Sequence, residues 1–426
     1  MTVTILFVSL AVLILLNIPI GVSLGLATIA AFLFGDVSIP LTVIPQRMFT
    51  ALDSFPFMAI PFFMLAGAIM QSGGISARLI NFAKNLVGSL PGGLGVISVF
   101  SSGFFGAISG SNAATVAAIG KIMIPSMTKD KYGKARAGAI VASAGTLGVV
   151  IPPSVPMITY GVISGVSIST LFIAGIIPGI LMILVLCLTI FFIAKKNNLP
   201  TAGRITMREL GKSFWDAILS LLMPIIVLGG IYGGIFTPTE AAAIACVYAL
   251  IITMFVYKEI KIKDLSSIIV EAGKSTSIVF FVIAASSAFS WLLTSQRIPD
   301  EIASSVLGLT DNPVVILLLI NVILLLFGIF LETNAIILLI TPMLLPIASH
   351  IGLDPLVLGI LLVVNTSVGM ITPPLALNIF IASDIAKATI EEVSKKIIPF
   401  FVALIVVVLA ITYIPEIVLF LPNLLG

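Results

Sequence analysis

The sequence predicts an all-α polytopic membrane protein built from two inverted repeats. Each repeat has five crossings, one of them broken, and one re-entrant hairpin. Three observations carry this reading: a composition too apolar for a water-soluble chain, basic residues gathered on one side of the crossings, and motifs that recur about 221 residues apart. Of 426 residues, 59% are hydrophobic and 9% charged, with mean hydropathy +1.27. A water-soluble domain carries about 25% charged residues. Runs such as 4–16, 171–194, 241–256 and 397–414 are long enough, alone or with their flanks, to cross a hydrocarbon core of about 30 Å. The first run lacks a basic n-region and an A-x-A-like cleavage site, and many similar runs follow it, so it reads as a crossing and not as a signal peptide.

In chain order, residues 6–16 and 21–34 form two helices joined by a tight turn at Asn17-Ile18-Pro19. Residues 57–71 make a third crossing, 134–161 a broken one and 171–194 the fifth. The second half offers 217–236, a turn at Thr237-Pro238, then 241–257, 275–294, a broken crossing at 356–382, and 397–419. Two further apolar regions, about 92–128 and about 313–348, read as hairpins that return to their own side. Residues 202–214 and 260–270 mix basic and apolar side chains at helical spacing and read as arms along the surface.

This topology puts 19 of the 21 Lys and Arg residues on one side. The positive-inside rule makes that side cytoplasmic and both termini periplasmic. Only Arg47 and Arg297 fall opposite, where an acidic partner or lipid headgroups are expected for them. Full crossings in place of the hairpins would send residues 195–274 outward, against the rule. The net charge of +3 is thus a topology signal and gives no support to nucleic-acid binding.

Catalytic constellations are missing from the sequence. Cys187 and Cys246 lie inside apolar runs, and the single histidine, His350, falls in a predicted loop. One histidine and no cysteine pair exclude a metal cluster, and no Ser–His nucleophile arrangement is supported.

The repeat is read from motifs. GVVIPPSVPMI from Gly148 aligns with GMITPPLALNI from Gly369, pairing Pro152-Pro153 with Pro373-Pro374 at offset 221. Ser111-Asn112-Ala113 aligns with Thr333-Asn334-Ala335 at offset 222, and Pro125, closing the first hairpin region, with Pro346. An odd number of crossings per copy inverts the second copy. Inverted repeats with interrupted helices point to a secondary transporter that binds near the membrane midplane. An architectural reading, in which the prolines only kink helices, is the alternative. Either way the freed backbone groups must be buried in protein or line a wet cavity.

Four irregular elements should converge: the tips Ser109-Gly110-Ser111-Asn112 and Glu332-Thr333-Asn334, and the breaks at Gly145–Gly148 and 365–369. Their carbonyl, hydroxyl and amide oxygens are hard donors suited to Na⁺. Helix starts at the same breaks offer free N–H groups and positive dipole ends to a carboxylate. Ser111, Ser154, Thr372 and Asn378 are neutral donors near that point. Asn112 and Asn334 can cap broken backbone, bind an ion, or both. Glu332 is an ionisable group at a tip within the membrane, which makes it a functional candidate. Glu240 reads instead as a dipole-satisfied carboxylate at a helix start. Ser98, Ser101, Ser102, Gly103 and the GVSLG stretch from Gly21 read as helix-packing positions.

The tips SGSNAATVAAIG and LETNAIILLITPMLLPI, with the breaks GTLGVVIPPSVPMITYG and NTSVGMITPPLALNIF, resemble the large membrane subunit of the tripartite ATP-independent periplasmic (TRAP) transporters over essentially the full chain. They also look like the tips of divalent-anion/Na⁺ symporters, except that Ala113 and Ala335 stand where those carry threonine. The resemblance implies an elevator-type transporter with scaffold and transport domains. It implies a scaffold part at 1–54, a transport part at 55–170, scaffold helices and a cytoplasmic arm at 171–271, a transport part at 272–390 and a final scaffold helix at 391–426. It implies one Na⁺ at Ser109, Gly110, Asn112 and Gly145, a second at Thr333, Asn334, Thr366 and Gly369, and substrate near Ser111, Ser154, Glu332 and Asn378. No other metal is expected. Further implications are Na⁺-coupled import of an organic acid across the bacterial inner membrane, with a small four-helix membrane subunit and a periplasmic substrate-binding protein. Sialic acid is the first expectation for the cargo and a C4-dicarboxylate the second. The competing functions are a stand-alone divalent-anion/Na⁺ symporter and a passive anion channel.

Overall fold

A computed structural model describes residues 1–16, 18–201, 206–310, 312–373 and 376–425, and every regular element among them is helical. Asn17 of the first turn, Arg204 and Pro374 of the second double proline lie outside the described residues. The first half runs α1 (Thr2–Leu15), α2 (Ile20–Phe34), α3 (Val43–Leu52), α4 (Ala59–Ser72), α5 (Ile75–Val87), α6 (Gly93–Ser109), α7 (Asn112–Lys129), α8 (Lys134–Ala144), α9 (Val155–Ser164) and α10 (Ile168–Asn197). The second runs α11 (Met207–Tyr232), α12 (Pro238–Ile251), α13 (Ile262–Ser295), α14 (Ile298–Leu309), α15 (Pro313–Phe330), α16 (Thr333–His350), α17 (Pro355–Gly369), α18 (Leu377–Ala386), α19 (Ile390–Tyr413) and α20 (Glu416–Leu425).

Polarity is arranged for a bilayer. Among the described residues, 8 helical stretches are long and apolar enough to span one. On α10, Ile180, Leu184, Leu188 and Phe192 recur every fourth residue and are each at least half exposed, so one face of the helix presents an apolar stripe outward. Among the described residues the buried polar side chains, in contrast, are Ser, Thr and Asn, with no Asp, Glu, Lys or Arg. In lipid, where apolar burial drives little association, such small polar and glycine contacts do much of the packing.

Where the hairpins are expected, the chain forms two helix–turn–helix pairs, α6–α7 and α15–α16. Gly110 ends α6 at φ +57°, a left-handed conformation that glycine takes without strain. Ser111 then caps α7, its hydroxyl oxygen accepting from the Ala114 N–H at 3.4 Å. Both breaks form as well. After α8 the chain makes a tight turn over Gly145–Gly148 and stays irregular until Ser154 caps α9. α17 stops at Gly369 and α18 starts at Leu377. The sequence of elements α4–α10 recurs in order as α13–α19.

Two packing groups emerge from the helix contacts. α1–α4 pack with α11–α13; α6–α10 pack with α15–α20. α5 joins α11 to α6, and α14 joins α13 to α16. α10 and α19, expected in the scaffold, lie against α17 and α8 respectively, beside the hairpins.

Several local expectations are corrected. The arm expected at 202–214 continues without a break into α11 from Met207, and the one at 260–270 is the start of the 34-residue α13. Helical spacing persists from Met207 and from Ile262 onward, so nothing interrupts backbone hydrogen bonding between each arm's helical part and the crossing that follows. The final crossing, expected over 397–419, ends at Tyr413, because Pro415 cannot donate the next helical bond. His350 closes α16 and is not in a loop. Pro125 and Pro346 sit inside α7 and α16, which run on to Lys129 and His350. Arg47 stacks over the Trp291 ring at 5.0 Å, an aromatic partner in place of an acidic one.

Candidate substrate and ion site

The interrupted elements meet at the centre of the hairpin group. α6 and the Gly145–Gly148 turn approach so closely that a Cβ on Gly106 would lie 3.0 Å from the Gly148 Cα. In the second half a Cβ on Gly328 would lie 2.6 Å from the Gly369 Cα. The two glycine contacts are related by the same offsets as the motifs, 222 and 221 residues.

Hydrogen bonds tie each tip to the other half of the chain. Asn112, at the start of α7, donates from Nδ2 to the Ser367 hydroxyl at 2.8 Å and to the Met370 sulfur at 3.2 Å. Ser367 donates to the Thr146 carbonyl at 2.7 Å, a contact between positions 221 residues apart. Thr159 of α9 donates to Asn334 Oδ1 at 3.3 Å, and Asn334 Nδ2 donates to Glu332 Oε1 at 3.2 Å. Ser109 and Thr115 share a hydrogen bond of 3.1 Å, and the Thr333 hydroxyl faces the Met370 sulfur at 3.5 Å.

The residues expected at the first ion position are brought together. Ser109 and Gly110 end α6 and Asn112 begins α7. A Cβ on Gly145 would sit 3.6 Å from the Asn112 carbonyl oxygen. Asn112 Oδ1 is buried and has no hydrogen-bond partner among the described residues, an acceptor of the hard type that a small cation prefers. At the second position, Thr366 and Gly369 flank Gly328, and Thr366 spends its hydroxyl proton on the Leu362 carbonyl at 2.7 Å, leaving oxygen lone pairs free. Thr333 and Asn334 open α16. Helix C-terminal ends, which carry partial negative charge, thus lie beside N-terminal ends, which carry partial positive charge.

A cavity of about 590 Å³ opens beside the tips. Its floor is Ser109, Ser111, Asn112, Glu332, Thr333 and Met370; α4 contributes Gly67 and Gln71, and α13 contributes Glu271 and Ser275. It therefore lies between the two packing groups. Lys121, on α7, also lines it. Of the four residues expected to hold substrate, Ser111 and Glu332 face this cavity. Ser154 and Asn378 do not: both are fully buried. Ser154 accepts from the Met157 N–H at 3.4 Å as the cap of α9, and Asn378 donates to the Ala142 carbonyl at 3.2 Å.

Thr146 and Ser367, at the junction of the halves, fall within the breaks expected to converge, whereas Met370 was not singled out from sequence. Gln71, Lys121, Glu271 and Ser275 were not legible as site residues, since nothing local in α4, α7 or α13 marks the side that faces a cavity. The expected packing role of the GVSLG stretch applies to Gly21, where a Cβ would come within 2.8 Å of the Phe281 ring, whereas at Gly25 it would meet nothing within 4 Å.

Known proteins share this architecture. The chain superposes on the Alcanivorax borkumensis YdaH transporter with TM-score 0.63 at 15% identity, covering 96% of this chain and 98% of that one. It superposes on Neisseria gonorrhoeae MtrF with TM-score 0.58 at 14% identity, covering 92% of each. At these identities the likeness is one of fold. Among sequence relatives, the isethionate TRAP transporter permease protein DctMQ of Oleidesulfovibrio alaskensis is 44% identical over 98% of this chain and 66% of its own length. The C4-dicarboxylate TRAP transporter large permease protein DctM of Pseudomonas aeruginosa is 42% identical over 95% and 94%. The sialic acid TRAP transporter large permease protein SiaM of Vibrio cholerae is 37% identical over 96% and 95%. The family described as tripartite ATP-independent periplasmic transporter, DctM component, matches residues 7–417. On that match and those relatives, the chain belongs to the DctM component family of tripartite ATP-independent periplasmic transporters and is a multi-pass transport permease, not an enzyme.

Proposed function

We propose that this chain imports an organic acid across the bacterial inner membrane, coupled to Na⁺, by an elevator movement. The observation that supports this best is the meeting of four helix interruptions around the unpartnered Asn112 Oδ1, beside a cavity that lies between two packing groups. Helix C-terminal ends and neutral oxygens suit cations, and the starts of α7 and α16 suit a carboxylate. Ser109, Gly110, Asn112 and Gly145 hold one Na⁺; Thr333, Asn334, Thr366 and Gly369 hold the other. Ser111 and Glu332 contact the substrate, while Ser154 and Asn378 brace the walls behind it.

The two halves are inverted copies, a reading supported by the recurring glycine contacts and by the Ser367–Thr146 bond between equivalent positions. The moving body comprises α6–α10 and α15–α20, and the fixed body α1–α4 and α11–α13, with α5 and α14 as the linking arms. A small four-helix membrane subunit and a periplasmic binding protein complete the system, and both termini face the periplasm. Relatives named for isethionate, C4-dicarboxylates and sialic acid support an organic acid as cargo, with N-acetylneuraminate first and a C4-dicarboxylate second.

The test is uptake of radiolabelled N-acetylneuraminate and succinate into proteoliposomes holding the permease and its small subunit, with the binding protein outside. Accumulation that follows an imposed inward Na⁺ gradient is expected. Uptake indifferent to the gradient would overturn the coupling, and full uptake without binding protein would favour a stand-alone symporter. Equilibration without accumulation would favour a passive channel.

A further inference from the structure

The geometry points to Glu332 as the residue that makes the cavity select hydroxyl-bearing monoanions over dicarboxylates. This rests on the reading of the cavity as the acid-binding site. Glu332 is exposed on the cavity floor beside Ser111, Asn112 and Thr333. It occupies the cap position of α16 but makes no capping bond to the backbone there. The one hydrogen bond of its carboxylate among the described residues comes from Asn334 Nδ2 at 3.2 Å. The remaining lone pairs therefore face the cavity.

An ionised carboxylate only accepts hydrogen bonds. It is satisfied by a substrate that brings an O–H or N–H donor, and left unpaired against a second carboxylate, with like-charge repulsion added. No Lys or Arg side chain among the described residues lines the floor to offset this. Of the charged side chains that line the cavity, Lys121 and Glu271 are the other two. Lys121 follows Asn112 by nine residues along α7, about 13 Å up the axis, so its ammonium serves the mouth and not the floor. The anionic group of the substrate is held at the start of α7, where Ser111 uses its oxygen as the cap acceptor and keeps its hydroxyl proton free to donate. One end of the site thus recognises a single carboxylate or sulfonate, and the other recognises hydroxyls.

The experiment measures ligand-induced thermal stabilisation of the purified permease with its small subunit in Na⁺, using isethionate, gluconate and N-acetylneuraminate against succinate and fumarate. Working without the binding protein keeps that protein's own preference out of the readout. Wild type is expected to be stabilised by at least one hydroxylated monoanion at concentrations about tenfold or more below those needed for either dicarboxylate, a ratio typical of losing one hydrogen bond in a site. Glu332→Gln should bring the two classes within about threefold, because the amide donates to a carboxylate, and Glu332→Asp should retain the preference. Equal response of wild type to both classes, or an unchanged ratio in Glu332→Gln, overturns the assignment to Glu332 while leaving Na⁺-dependent acid binding intact. Absence of Na⁺-dependent stabilisation by any acid overturns the cavity reading and this inference with it. Should Glu332→Gln not fold, Glu332→Asp decides: loss of its preference while acid binding persists also counts against the assignment.

Discussion

Asn112 and Asn334 occupy equivalent places in the two halves, yet the structure uses them differently. Asn112 reaches across to Ser367 and leaves Oδ1 unpaired, whereas Asn334 has its oxygen bonded by Thr159 and its nitrogen bonded to Glu332. Asn112→Ala is therefore expected to raise the half-saturating Na⁺ concentration for uptake by about tenfold or more, since bonds to a charged group contribute about 1.5–3 kcal/mol. Asn334→Ala should raise it as well and also disturb Glu332, so substrate affinity falls with it. A Na⁺ titration of uptake at saturating substrate separates the two, and an unchanged Na⁺ requirement in Asn112→Ala removes that residue from the ion site. The sequence brought both asparagines forward because an amide beside a glycine-rich interruption has few other reasons to stand in an apolar run. It brought Ser154 and Asn378 forward on the same logic, and the structure places both inside the wall, where Ser154 caps α9 and the Asn378 Nδ2 donates to the Ala142 carbonyl.

Close glycine contacts fix two of the helix crossings beside the site. α15 and α17 touch at Gly328 and Gly369, where an added Cβ would meet backbone 2.6 Å away, so neither helix can yield by turning a side chain. Gly328→Ala is expected to destabilise the protein by about 1–3 kcal/mol, the range for overpacking a closed contact. Gly25→Ala, where the added carbon meets nothing, should leave stability unchanged. Thermal unfolding in detergent compares the two variants; equal melting temperatures would show that α15 and α17 do not rely on this contact. Element ends were legible wherever local chemistry dictates them. The capping boxes Thr206–Glu209, Thr237–Glu240 and Thr389–Glu392 open α11, α12 and α19, and the second of these fits the helix-start reading of Glu240. Ends that depend on continued hydrogen bonding were less legible, as the merging of both expected arms into α11 and α13 shows.

The cavity lies on the seam between two groups of helices, and the proposed elevator movement is a sliding of one group past the other. Ser290 of α13 donates to the Leu338 carbonyl of α16 at 3.2 Å across that seam, whereas Thr239 of α12 donates to the Phe55 carbonyl at 3.1 Å within the proposed fixed body. In a background with Cys187→Ala and Cys246→Ala, oxidising the pair Ser290→Cys and Leu338→Cys should abolish uptake, and reduction should restore it. The pair Thr239→Cys and Phe55→Cys should transport equally in both states. Full transport by the oxidised seam pair would rule out sliding between these bodies.

Composition, charge placement and the spacing of breaks were enough to specify a helical membrane chain with two helix–turn–helix tips and two interrupted helices. Those properties follow from local rules: an apolar run must satisfy its own backbone in lipid, and proline and glycine mark where it fails to. The grouping of helices was beyond those rules. α10 reads as one more apolar crossing, and its place beside α6, α17 and α19 depends on which of its faces meets small residues far away in sequence. The same holds for the site. A tip motif shows that Ser111 and Glu332 occupy turns, but their opening onto one cavity, opposite Gln71 and Glu271 from the other group, depends on distant segments packing together.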